Sequence, residues 1–335
     1  MSSATTRTLG RNGPLVSAVG LGLMGMTISA IPDGQMFETL DKAIETGCTF
    51  WDTSDAYGDN SERLQRYFAA RPGSREKVFL ATKVSRYVKD DGTPGNRADP
   101  EYLLAAADKV LQRLGLPFVD LIYLHRAEHN VPIEHSVGAL KQLVEAGKTK
   151  YIGLSEVSAR TVRRAHTVHP LHALQVEYSA FCLDIETNGV LDTCKELGIA
   201  VVCYSPVSRG FLPGELKTYA DLGEGDHRKL FPRFSEENFP KNIEIAKRVE
   251  QIARQRGVAT TQFALAWLLA QGEHVIPIPG WDYRIQFDYT ILELLHGLCS
   301  GARLVLAIAF IPILNHVAGD ATIQSDCEEF GKLLA

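Results

Sequence analysis

The sequence predicts an α/β chain folded as one (β/α)8 TIM barrel, with a short N-terminal hairpin and a long loop after its seventh strand. Three observations carry the prediction. Apolar, β-branched runs recur about every thirty residues, amphipathic stretches of helical periodicity separate them, and the runs are continuously apolar rather than alternating. Strands buried on both faces read this way, and a strand–helix repeat builds a parallel sheet covered by its own connections. At 335 residues the chain is long enough for one such barrel.

The hairpin comes first, with Asn12-Gly13 as its turn between Arg7-Thr-Leu and Pro14-Leu-Val. Strands are predicted over 16–21, 48–52, 78–84, 119–124, 151–154, 173–177, 199–204 and 275–278. Helices are predicted over 36–46, 61–70, 100–114, 134–147, 158–168, 186–197 and 241–256. Within 100–114, residues Leu103, Leu104, Ala107, Leu111 and Leu114 recur at helical spacing. Gly47, Gly115, Gly147, Gly198 and Gly257 stand where helices should end. The segment 205–240 is rich in Gly, Pro and charge, and loops of that length are usually functional. The barrel is expected to occupy residues 1–280, with 281–335 as a divergent C-terminal tail.

Composition removes several classes of function. The chain is 45% hydrophobic and 22% charged, enough apolar material for a large core. Its 35 Lys and Arg against 40 Asp and Glu give a net charge of −5, which argues against nucleic acid as a partner because phosphate contacts need a concentrated basic surface. Six scattered cysteines (Cys48, Cys182, Cys194, Cys203, Cys299, Cys327) form no CxxC pair or finger spacing, so no metal is expected. They read as reduced thiols of an intracellular protein. The first residues hold no apolar run of a secretory signal, and cytoplasmic residence is the default expectation. The apolar run Leu304–Leu314 is too short to span a bilayer, so no membrane anchor is expected.

Gly20-Leu-Gly-Leu-Met-Gly25 matches the G-x-G-x-x-G dinucleotide fingerprint, but its context does not. Such a loop must open a helix at once, whereas Thr27-Ile-Ser-Ala-Ile-Pro32 is β-branched and ends in proline. The acidic residue about twenty positions on, Asp41, falls within a helical pattern instead of at a strand end. The sharper signal lies at three successive strand ends. Asp52 ends the second strand in Phe50-Trp-Asp52-Thr-Ser-Asp-Ala-Tyr57-Gly58, with Tyr57 on the loop that follows. Lys83 ends the third and His125 the fourth. Strand ends on one side of a barrel converge on one mouth, so these four groups should share a pocket. Each alone has a structural explanation; together they read as a site.

These residues resemble the aldo-keto reductase superfamily, in particular its broad fungal, plant and bacterial soluble branch. The likeness runs from about Leu9 to Gly280 and takes in Gly20–Gly25, the Asp52–Tyr57 motif, Thr-Lys83, Leu-His125-Arg, Gln175-Val-Glu-Tyr-Ser179, Tyr204-Ser-Pro and Gly210-Phe-Leu. The resemblance implies NADPH-dependent reduction of an aldehyde or ketone to an alcohol. Side chains cannot supply a hydride, so that chemistry needs a nicotinamide cofactor. The carbonyl oxygen then needs a proton. A phenol titrates at about 10 and a neighbouring ammonium favours its anion. Tyr57 is therefore assigned as general acid, Lys83 as the group that tunes it, Asp52 as the partner that holds Lys83 charged, and His125 as a hydrogen-bonding group for the substrate carbonyl.

The same resemblance assigns Ser155 and Gln175 to the nicotinamide carboxamide and Tyr204 to stacking on its ring. It further assigns Gly22, Met24 and Asp52 to the cofactor, and Ser205, Pro206, Val207, Arg209 and Gly210 to the pyrophosphate. Glu156 stands where many relatives carry Asn, and its carboxylate can accept from an amide NH2. Arg228 and Arg233 read as solvated charges. Pyridoxal-like, aromatic and short aliphatic aldehydes all meet these requirements.

After Gly280 the resemblance stops. A loop bearing Ser/Thr and Lys/Arg for the adenosine 2′-phosphate, and a Glu-Asn pair for the adenine, are expected there; Trp281-Asp-Tyr-Arg-Ile-Gln-Phe-Asp288 follows instead, with Arg284 the only Lys or Arg between Arg256 and Arg303. Such a break points to an altered splice or reading frame, or to a divergent natural tail. Residues 286–300 could replace the last barrel helix, with Phe287, Ile291, Leu294, Leu295 and Leu298 on one face. Two alternatives to an active reductase follow: a cofactor-binding regulatory module that acts through a protein partner, or an inactive product with a disrupted cofactor site.

Overall fold

A computed structural model describes residues 5–28, 31–89, 91, 93–212, 214 and 216–280. The predicted tail 281–335, with the replacement helix 286–300 and Cys299 and Cys327, lies outside the described residues. The elements run β1 (Thr6–Thr8), β2 (Leu15–Ser17), β3 (Leu21–Gly22), α1 (Gly25–Ile28), α2 (Asp33–Glu45), β4 (Phe50–Asp52), α3 (Asn60–Ala70), β5 (Phe79–Val84), β6 (Arg86–Val88), β7 (Pro94–Asn96) and α4 (Pro100–Leu114). They continue with β8 (Val119–Leu124), α5 (Ile133–Glu145), β9 (Thr149–Ser155), α6 (Ala159–Val168), β10 (Ala173–Glu177), α7 (Asp184–Thr187), α8 (Val190–Leu197), β11 (Ala200–Tyr204), α9 (Phe239–Gln255), α10 (Thr260–Ala270) and β12 (Val275–Pro277).

Eight parallel strands form one sheet in the order β3, β4, β5, β8, β9, β10, β11, β12. Its ends meet: Gly20 N–H donates to Pro277 O and Gly22 N–H to Pro279 O, both at 2.9 Å, and Gly22 bridges Gly280 in parallel. This is the (β/α)8 barrel the sequence predicts. The closure explains the glycine run as well. A Cβ on Gly20 would stand 2.7 Å from Phe50 O and 2.8 Å from Ile278 Cγ2, so the glycine lets β3 close against its neighbours. Asp41 lies on α2 and accepts from Tyr67 Oη at 3.0 Å, a structural role in place of a ribose contact.

Local signals set most helices. α4 starts where Asp99 accepts the Tyr102 N–H at 3.0 Å with Pro100 in the first turn, and it ends at Gly115, φ +64°. Gly47, Gly147, Gly198 and Gly257 take the same left-handed conformation after their helices. Three readings need correction. The apolar run 16–21 serves two structures, because Leu15–Ser17 pairs antiparallel with Thr6–Thr8 and only Leu21–Gly22 joins the barrel. The helix expected over 186–197 is two, split at Gly189, φ +82°. Helix α10, missing from the prediction, has Phe263 through Leu269 all buried, so it shows no polar face and no helical alternation of polarity. The β6–β7 ribbon was also unpredicted.

Apolar side chains fill both layers. Phe50, Ala81, Leu121, Tyr123, Ala200, Val202 and Ile276 pack inside the barrel with Leu9 and Val16 of the hairpin. A larger cluster lies between strands and helices. Buried Arg7 pins the hairpin: its guanidinium donates to Leu269 O (2.5 Å) in the last turn of α10, to Gly272 O (2.8 Å) just after it and to Val275 O at the start of β12. The loop after the seventh strand, β11, is packed and carries four short 3-10 turns. Phe211 stacks on Phe181 and Phe234 at 5.4 and 4.4 Å between centroids.

Candidate active site

The strand ends converge as their order requires. Asp52 is the last residue of β4, Lys83 the fifth of six in β5, and His125 follows β8 directly. Tyr57 is held by a tight turn: Asp55 N–H donates to Lys83 O (3.1 Å), Tyr57 N–H to Ser54 O (3.2 Å), and the Thr27 hydroxyl to Tyr57 O (2.8 Å).

Lys83 is the hub. Its ammonium donates to the Asp52 carboxylate, to Thr53 O at 2.9 Å and to Tyr57 Oη at 3.3 Å, and it lies 5.0 Å from the Tyr57 ring centroid. Lys83 and Asp52 are 1% and 2% exposed. Burial alone would lower the lysine pKa, but the adjoining Asp52 carboxylate and the Tyr57 phenol together outweigh it and hold the ammonium above its ordinary value. His125 packs edge-on to Tyr57 at 6.1 Å and places Nδ1 3.1 Å from Ser54 Oγ. Its pKa is pushed well below the usual imidazole value, first by burial and then by Lys83, Arg126 and Arg86, so the ring is neutral at physiological pH. A buried ammonium next to a half-exposed phenol and a neutral imidazole can deliver a proton to an oxygen bound between them.

The remaining predicted residues stand on the barrel strands or on the segments that directly follow them. Ser155 ends β9, accepts from Arg126 Nη1 at 3.0 Å and is buried. Gln175 on β10 donates Nε2 to Asp52 Oδ2 at 2.8 Å, so its amide nitrogen is committed to the ion pair and its carbonyl remains for a ligand. Glu156 sits exposed at φ +52° and accepts the Glu177 N–H at 2.9 Å. Tyr204 ends β11, with Ser205, Pro206 and Val207 next in the chain. Ser208, Arg209 and Gly210 follow with φ of +60°, +53° and +103°. Within this turn the Ser208 N–H donates to Ser205 O at 2.9 Å and the Phe211 N–H to Ser208 O at 3.2 Å. Gly22 lies in β3, and Met24 is 41% exposed beside it.

The Arg209 guanidinium faces Glu177 at 3.1 Å and lies 4.4 Å from the Phe231 ring centroid. Arg233, expected as a solvated charge, is 1% exposed and paired with Glu177. Arg228 is paired with Asp226 at 2.7 Å. Burial alone would raise the Glu177 carboxyl, but Arg233 and Arg209 outweigh it and hold it below the usual carboxylate range. Sequence reasoning missed Glu177, Arg126, Ser54 and Asp55 as parts of the mouth. The signal for the last two lay between Asp52 and Tyr57, while Glu177 and Arg126 each adjoin a residue already singled out or lie within two of one. Among the described residues, no cluster of His, Cys, Asp and Glu could hold a metal ion, and no helix is long and apolar enough to cross a membrane.

Comparison with known proteins agrees with this fold. The chain is 46% identical over 286 residues to the NADP(+) aldo-keto reductase yakc of Schizosaccharomyces pombe, covering 83% of each chain. It is 42% identical over 286 residues to the aldo-keto reductase str7 of Strobilurus tenacellus, covering 82% of each. Among solved structures, it resembles the glycerol dehydrogenase of Gluconobacter oxydans at a TM-score of 0.77 and 25% identity, covering 92% of this chain and 96% of that one. It also resembles a thermostable aldo-keto reductase solved with the inhibitor epalrestat, at a TM-score of 0.71 and 25% identity, covering 92% and 99%. The model of the Aldo/keto reductase family matches residues 18–290. With that match, and relatives of this identity, the chain belongs to the aldo/keto reductase family of oxidoreductases.

Proposed function

We propose that the chain reduces an aldehyde or ketone to an alcohol using NADPH, with Tyr57 as proton donor. The observation that carries this reading is the 3.3 Å contact of the buried Lys83 ammonium with Tyr57 Oη, which stabilises negative charge on the phenol as its proton leaves. Asp52 keeps Lys83 charged and in place, and Gln175 holds Asp52. The neutral His125 orients the carbonyl oxygen toward Tyr57.

The rim suits a nicotinamide nucleotide. The turn at Ser205–Gly210, with the Arg209 guanidinium on it, suits a pyrophosphate. The half-buried Tyr204 offers a ring face, and Ser155, Glu156 and the Gln175 carbonyl offer polar atoms to a carboxamide. Ser205, Pro206, Val207, Gly22 and Met24 would line the remaining approach, and Arg209 would add charge by leaving Glu177. When bound, the cofactor supplies the hydride that side chains cannot. The residues after Gly280 would decide the hold on the 2′-phosphate. Loss of two charge-assisted contacts there, each worth roughly 1.5–3 kcal/mol, would weaken affinity about a hundredfold or more.

Titration of the full chain with NADPH, followed by tryptophan fluorescence, tests the reading. Saturable micromolar binding followed by turnover of an aldehyde is the expected result. A folded chain that binds no nicotinamide nucleotide refutes it and favours an inactive product. Tight binding without turnover of any carbonyl favours the regulatory module.

A further inference from the structure

Ser54 stands between two titratable groups. Its Oγ lies 3.1 Å from Asp55 Oδ1, 3.1 Å from His125 Nδ1 and 3.1 Å from the Ala56 N–H, which donates to it. A serine hydroxyl has one proton and two lone pairs, so these three partners complete its hydrogen bonding. Two arrangements satisfy them all and differ in whether Asp55 Oδ1 accepts from Ser54 or, protonated, donates to it. In one, Ser54 donates to the Asp55 carboxylate and accepts from Ala56 N–H and His125 Nδ1–H, leaving Nε2 a bare acceptor. In the other, a protonated Asp55 donates to Ser54, whose hydroxyl turns to His125 Nδ1, and the ring proton sits on Nε2. The second state holds one more proton, carried by Asp55, while the imidazole stays neutral in both.

We propose that Ser54 and Asp55 form a hydrogen-bond relay that selects which nitrogen of His125 carries the proton, and so whether the ring donates to or accepts from the substrate oxygen. The inference rests on the reductase reading in assigning Nε2 to the substrate. A carbonyl accepts hydrogen bonds only, so reduction needs the Nε2–H form made with protonated Asp55. An alcohol can donate, so its oxidation runs with Asp55 ionised. Ser54 and Asp55 are positioning residues that act through His125.

The relay is placed to titrate near neutrality. Burial raises the Asp55 carboxyl to about 6, against the opposing pull of Ser54, the Ala56 N–H, Arg113 and Lys83. Arg113 on α4 donates to Asp55 O at 3.0 Å, and Arg86 on β6 and Tyr102 on α4 also feel its charge. His125 faces Lys83, Arg126 and Arg86, which with burial keep it uncharged. Breaking the matched arrangement loses one hydrogen bond to a charged group, a bias of about tenfold between tautomers.

Nitrogen-15 NMR of the His125 side chain in the full-length protein reads the tautomer without substrate, because protonated and bare ring nitrogens resonate far apart. Between about pH 5 and pH 8 the wild type should pass from Nε2–H to Nδ1–H with a midpoint near that of Asp55. Asp55→Asn offers Ser54 an amide N–H at every pH and should hold Nε2–H throughout, while Ser54→Ala should abolish the pH response. kcat/KM for carbonyl reduction should fall about tenfold over the same range in the wild type and stay flat in both variants. One unchanging tautomer in the wild type, or an unchanged response in Ser54→Ala, overturns the relay. A tautomer switch in a chain that reduces no carbonyl would overturn the reductase reading and leave the relay standing.

Discussion

Replacing Lys83 by methionine keeps the side chain's length and removes its charge. In the native fold the Lys83 and Asp52 side chains are 1% and 3% exposed, so water cannot compensate either partner. The substitution leaves Asp52 with the Gln175 amide at 2.8 Å as its remaining side-chain donor and takes from Thr53 O a donor at 2.9 Å. Breaking a buried pair on one side costs about 3–5 kcal/mol, because the surviving charge is stranded. Removing both charges, as Asp52→Asn with Lys83→Met, leaves no buried charge unpaired and should return to within about 1–2 kcal/mol of the wild type. Urea unfolding at neutral pH measures these differences, provided the slope stays constant across the four proteins. The pH dependence has a fixed sign. Burial raises the Asp52 carboxyl, and without the ammonium nothing of comparable strength opposes it. A raised carboxyl binds its proton more tightly when folded, so the deficit of Lys83→Met should shrink as pH falls, by up to about 1.4 kcal/mol per pH unit. A single-variant loss below about 1 kcal/mol, or a double variant as unstable as the sum of the singles, would refute the reasoning.

Tyr57→Phe removes the proton donor and little else: carbonyl reduction should fall about 10²–10⁴-fold while fluorescence titration with NADPH stays within about twofold of the wild type. Asp55→Asn should stabilise the fold above about pH 6, by at most ~3 kcal/mol, and bring no gain below about pH 4. The carboxyl is raised to about 6 by burial, so the native chain loses stability as pH rises through that interval; equal unfolding midpoints at low and neutral pH would contradict this. Gly20→Ala sets a methyl 2.7 Å from Phe50 O where the barrel closes, and should cost about 1–3 kcal/mol in thermal or urea unfolding. An unaltered melting temperature would show that β3 moves aside freely.

What could be read in the sequence followed the range of the forces involved. Helix ends were legible because caps act within one turn: Asp99 and Pro100 start α4, and a left-handed Gly115 ends it. Asp52, Lys83 and His125 were legible because the end of an apolar strand is itself a local signal, and the barrel brings such ends together. Helix α10 was not, since burial on every side removes the alternation that marks a helix. The first strand was misplaced because one apolar run feeds both the hairpin and the barrel, and only the pairing of Leu15–Ser17 with Thr6–Thr8 divides it.

The barrel architecture and the clustering of Asp52, Tyr57, Lys83 and His125 were legible in residue type and in neighbours within a turn or a strand. Tertiary structure alone decided how those groups are held. Gln175 reaches Asp52 across 123 positions, Ser54 meets His125 across 71, and Arg233 is buried on Glu177 across 56. Whether a glutamine serves a ligand or an ion pair, and whether an arginine is solvated or buried, depends on what the closed barrel places beside it. Hydrogen bonds and charge pairs act over a few ångströms of space, and nothing in the spacing of residues along a chain encodes a contact of that range.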